Sequence, residues 1–87
     1  MGRAFLMTQE QIAELVEKAR QDNELWAVLK DRELNQFNAD GSAKLPSMST
    51  AVADFVAGLY GAEHRYEIGS LIIALRFQTR QELGLPV

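Results

Sequence analysis

The sequence predicts an all-α fold, a small bundle of about four helices arranged as two helical pairs around a central Gly/Pro/Ser loop. Three observations point there. Apolar residues recur at three- and four-residue spacing in four stretches. Residues suited to capping stand in front of several of these stretches, and only one segment collects turn formers and a proline together. The 87 residues fit one domain, with residues 1–7 as a loosely ordered extension and 38–48 as an internal loop.

The first helix is announced by Thr8 and, three residues on, Gln11, the spacing at which two side chains satisfy each other's free backbone amides. Ile12, Leu15, Val16 and Ala19 then share a face, and Glu10, Glu14, Glu17 and Lys18 lie largely on the other. Asp22 and Asn23 interrupt this helix and cap a second, because their short side chains bond readily to free amides. Leu25, Val28, Leu29 and Leu34 supply its apolar stripe, with Trp26 projecting to one side, so the first two helices form a hairpin.

The run Asn38-Ala-Asp-Gly-Ser-Ala-Lys-Leu-Pro-Ser is the crossover between the halves. Asp40-Gly41 also suits a β-hairpin turn, although the flanking residues do not alternate strictly. Ser47 or Ser49 caps a third helix carrying Val52, Phe55, Val56 and Leu59, which Gly61 stops.

A long fourth helix is expected from Ala62 to Leu83. Ile68, Leu71, Ile72 and Leu75 lie on one face and Tyr66, Ile73 and Phe77 toward the other, and Gly84 and Pro86 end it. The competing expectation is a strand, since Leu71, Ile73, Leu75 and Phe77 also alternate and Gly69 disfavours a helix by about 1 kcal/mol relative to alanine. A helix apolar on two sides either sits centrally among its neighbours or offers its second face to another copy.

Composition restricts the function classes. A net charge of −3 with both signs interspersed gives no basic stripe for phosphate backbones. The absence of cysteine removes disulfides and thiolate metal sites and agrees with a cytoplasmic location. The apolar run Leu71 to Leu75 is far shorter than the roughly 20 residues that span a bilayer, and residues 1–7 do not read as a secretory signal.

His64 is the only histidine, and Glu63 and Glu67 near it do not establish a catalytic pairing. Glu10, Glu14 and Glu17 form a solvated acidic face without a cation-binding loop. The glycines match no phosphate-binding pattern, and the serines read as turn and capping residues. No catalytic, cofactor or metal residues are therefore assigned.

The stretch from Met7 to Lys30 resembles the opening helices of leader domains of modified-peptide precursors. That resemblance covers the first third of the chain, while the Leu45-Pro46-Ser47 linker and the apolar final helix depart from such leaders.

The expected function is that of a small non-enzymatic helical adaptor or regulatory protein. It would bind another protein through Tyr66, Ile73 and Phe77 and would pair as a homodimer; Trp26 is a further candidate anchor, although in so small a core the favoured reading is a packing residue. One alternative is a helix-turn-helix regulator that turns at Gly61 and touches phosphates through Arg76 and Arg80. Another is an accessory subunit or small-molecule binder with a pocket between helices.

Overall fold

The computed structural model describes residues 7–65 and 67–87, and among these it is an all-α bundle. The segment before Met7, where a loose extension is expected, and Tyr66 lie outside the described residues.

Helix α1 (Gln9–Gln21) opens on the expected capping box. The Gln11 amide donates to Thr8 Oγ1 at 3.1 Å and the Thr8 amide to Gln11 Oε1 at 2.8 Å. Asp22 ends α1 and also starts α2 (Asn23–Leu34), accepting from the Leu25 amide at 3.1 Å. With a single residue between them, the two helices fold back as a hairpin. Ser47 caps α3 (Met48–Tyr60), accepting from the Thr50 amide at 3.2 Å.

The crossover begins at Asn35, earlier than expected, and contains a tight antiparallel turn. Phe37 bridges Ala43, and Gly41, at φ +89°, donates to Asn38 O at 3.0 Å. The Asp40-Gly41 signal thus does form a turn. Asp40 closes it by accepting from the Ser42 amide at 2.9 Å, and the Ser42 bonds hold the Asp40 carboxyl below its ordinary value.

The expected helix from Ala62 is corrected. A single 3₁₀ turn occupies Ala62–His64, and helix α4 runs Gly69–Leu83. Gly61, at φ +106°, leads the chain out of α3 into that turn, and Ile68 opens α4 without a side-chain cap. Gly69 thereby falls at the first helical position, where it interrupts no established helical turn. Residues 71–77 are helical, so the strand alternative is set aside. Gly84, at φ +74°, ends α4, and the Leu85 amide donates back to Arg80 O at 2.9 Å.

The core joins Leu15 and Ala19 of α1, Trp26 and Leu29 of α2, Ala51, Val52, Ala53 and Val56 of α3, and Ile68, Leu71 and Leu75 around α4. Each large aliphatic side chain removed from water here contributes roughly 1.5–3 kcal/mol. Thr79 is buried and satisfies its hydroxyl on Leu75 O at 2.9 Å. Two residues placed on apolar stripes by spacing, Leu34 and Leu59, are exposed in the last turns of their helices.

Cross-contacts set the directions. Trp26 and Lys30 reach Glu82, while Glu33 reaches Arg76 and Arg80, so α2 runs antiparallel to α4. Met7 and Ile12 lie beside Ile73, and Arg20 bonds Gln78, so α1 runs parallel to α4. Helix α4 therefore lies against the α1–α2 hairpin and also touches α3.

Candidate interaction face on the final helix

The expected interaction residues separate into three situations. Ile73 is 71% exposed and Phe77 47%, one turn apart on α4. Tyr66 lies outside the described residues. Trp26 belongs to the core at 7% exposure, which places it apart from the open surface. Its indole Nε1 donates to the Glu82 carboxylate at 3.1 Å, and the Arg20 guanidinium lies 5.3 Å from a ring centroid. Sequence periodicity set Trp26 beside the α2 stripe. In the fold, Trp26, Leu29 and Glu33, spaced by three and four, face inward.

Ile73 and Phe77 form one wall of a groove between α4 and α1. Ser70 and Ala74 complete that wall, Met7 and Ile12 stand opposite, and Gln9 and Gln78 lie at the rim. None of these eight residues carries a charge, in a chain where 24% of residues do. The groove continues past Ala13 and Val16 toward Glu17 and Arg20. Arg20 is taken up at that end by Gln78, at 2.9 Å, and by Glu82.

The α2 flank of α4 is closed by a charged clamp that apolar patterning did not reveal. Arg76 donates to both carboxylate oxygens of Glu33 at 3.0 and 3.1 Å, and Arg80 donates to Oε2 at 2.7 Å. The Glu33 side chain is only 3% exposed. The Arg76 bonds, with those of Arg80, hold its carboxyl below the ordinary glutamate range against the opposing effect of burial. The same contact raises Arg76. The available signal was a glutamate four residues after Leu29 together with two arginines one turn apart.

For the nucleic-acid alternative this geometry matters directly. Arg76 and Arg80 do come together, but around one carboxylate, so the cluster offers one net positive charge rather than two free guanidinia. A concavity beside the crossover bears on the small-molecule alternative. Of its charged lining residues, Arg32 donates to Pro46 O at 2.8 Å, Lys44 pairs with Asp31 at 3.0 Å, and Arg76 with Glu33. The Lys44 bond is the chief cause of a lowered Asp31 carboxyl.

His64 packs edge-on to Tyr60, ring centroids 6.3 Å apart, in the 3₁₀ turn. No group of three or more potential ligands that could hold a metal ion occurs among the described residues. No helix among them is long and apolar enough to cross a membrane. Comparison of the chain with protein-family models, curated proteins and solved structures finds no match.

Proposed function

We propose that this chain is a small non-enzymatic adaptor or regulatory protein that binds another protein through the uncharged groove between α1 and α4. The observation that carries this is Ile73 and Phe77 standing open to solvent over a wall without charged groups. Interface centres are depleted in charge and enriched in aromatic anchors, and Phe77 supplies such an anchor on a rigid helix. A cytoplasmic setting belongs to the same proposal, supported by the cysteine-free composition.

The test is a pull-down from native lysate with the wild-type chain, with Phe77→Asp and with a control substitution at exposed Lys18. A partner retained by wild type and control but lost with Phe77→Asp supports the proposal. Partners indifferent to Phe77→Asp remove its basis. A salt-sensitive shift on duplex DNA that vanishes with Arg80→Gln would instead favour the nucleic-acid alternative.

A further inference from the structure

We infer that the occupant of the α1–α4 groove is a second copy of this chain, related by a twofold axis running parallel to α4. The inference rests on the groove being an interaction face and adds which partner fills it and in which orientation.

Charge arrangement around the groove selects this partner. Its centre is uncharged, so two copies meet there without like-charge repulsion. Its two long edges differ. On the α4 edge, Arg76 and Arg80 lie three residues after Ile73 and Phe77 and exceed their shared Glu33 by one positive charge. On the α1 edge, Glu17 and Arg20 line the groove, but Arg20 is taken up by Gln78 and Glu82 of α4, so Glu17 and Glu10, two turns earlier on the same side of the helix, leave this edge acidic. Because α1 and α4 run in the same direction, Glu17 stands near the level of Ala74 and Gln78, the same stretch as Arg76 and Arg80.

A twofold axis along the helices brings the acidic edge of each copy against the basic edge of the other, at matching height. A twofold axis across the helices sets basic edge on basic edge and acidic on acidic. Opposite-edge pairing is attractive and like-edge pairing repulsive, so the first symmetry is selected.

Size sets the strength. A 15-residue helix is about 22 Å long, and two helices side by side are about 20 Å wide. Such a face offers on the order of 500 Å² per copy, below the roughly 800 Å² of a standard stable interface. The dimer is accordingly a weak one that forms as concentration rises.

The chain contains no cysteine, so single cysteines report orientation. Ser70 and Gln81 flank the Ile73–Phe77 stripe toward the two ends of α4. With the axis along the helices, the two α4 helices lie diagonally across the groove and each position is level with its own counterpart, whereas a transverse axis brings position 70 level with position 81. A short bismaleimide should therefore cross-link Ser70→Cys to itself and Gln81→Cys to itself. Self-cross-linking absent in both, with cross-links only in a mixture of the two chains, would mean the transverse axis and overturn the inference.

Sedimentation equilibrium from about 10 μM to about 1 mM supplies the second arm, spanning the range expected of a weak contact. The wild-type average mass should rise toward twice that of one chain. Glu10→Lys with Glu17→Lys, at exposed positions, should weaken association about tenfold at low salt, and moderate salt should weaken the wild type several-fold. A strict monomer at 1 mM overturns the second copy as occupant. A Phe77-dependent partner in lysate would in that case still leave the groove as an interaction face. A dimer indifferent to both Phe77→Asp and the Glu10/Glu17 pair would place the contact elsewhere and also overturn it.

Discussion

The two flanks of α4 are built from opposite materials. Toward α2, charged side chains close the helix in, with Glu33 at 3% exposure held by Arg76 and Arg80, above the fully buried Leu71 and Leu75. Toward α1, apolar side chains are left open, with Ile73 at 71% and Phe77 at 47% exposure. On one side of α4 a carboxylate of α2 is enclosed, while on the other side apolar side chains of α4 stand open. A carboxylate can be enclosed because its hydrogen bonds are supplied, and isolated apolar side chains can be exposed at modest cost. What distinguishes Ile73 and Phe77 from ordinary exposed side chains is their alignment over a groove whose walls also lack charge.

The largest effect should come from the sealed flank. Leu75→Ala removes a fully buried side chain at the centre of the α4 packing and should cost about 2–5 kcal/mol, read from the midpoint of urea unfolding followed by circular dichroism. In a domain of this size such a loss approaches the whole stability. A change below about 1 kcal/mol would show that α4 is not held as described.

Opening the clamp should cost less. Glu33→Gln keeps the shape but replaces charge-assisted bonds with weaker ones and leaves the two arginines facing each other, a loss of about 1–3 kcal/mol. An unchanged midpoint would mean that Glu33 contributes no more than an exposed ion pair.

The clamp also gives stability a pH dependence whose sign follows from its direction. The folded Glu33 carboxyl lies below its unfolded value, so the unfolded chain binds more protons in that window. Stability from this group is complete above the unfolded value of about 4.3 and is lost as pH falls through the folded one. Asp31, lowered chiefly by Lys44, and Glu82, lowered chiefly by Lys30 and then Trp26, act in the same sense. Thermal midpoints should therefore be level between about pH 5.5 and 7 and fall below about pH 4.5. With Glu33→Gln the acid-side fall should be shallower. An equal fall in both chains would assign it to other carboxylates.

The smallest effect belongs to the open flank. Ile73→Ala removes a mostly exposed side chain from a surface position, where alanine also favours the helix, and should change stability by less than about 0.5 kcal/mol. A loss comparable with Leu75→Ala would show the two flanks to be alike.

The sequence foretold much of the fold and little of the clamp, for physical reasons. Capping at Thr8, Asp22 and Ser47 and termination at Gly61 and Gly84 are local events, governed by residues within a few positions. The start of α4 differs because Tyr66 and Ile68 carry the apolar spacing back toward Ala62, whereas Ala62–His64 form a 3₁₀ turn and the α-helix begins at Gly69. Trp26 does take the packing role that so small a core favours, but its bond to Glu82 and the hold of Arg76 and Arg80 on Glu33 were not legible, because each joins residues more than forty positions apart. Ile73 and Phe77 were legible as a second apolar face, but periodicity alone does not say whether a neighbouring helix covers it. Only the packing of α1 beside α4 shows that it remains open.

The asymmetry of α4 is tested most directly by placing the same charge on each flank in turn. Urea unfolding of Leu75→Asp and Phe77→Asp should be compared at a concentration low enough to keep the chains monomeric. Leu75→Asp should fail to fold or lose several kcal/mol, since a carboxylate would be buried without a partner. Phe77→Asp should keep its helical signal and a midpoint within about 1 kcal/mol of the wild type. Equal collapse of both chains would place Phe77 in the core and contradict the open face on which the proposed function depends.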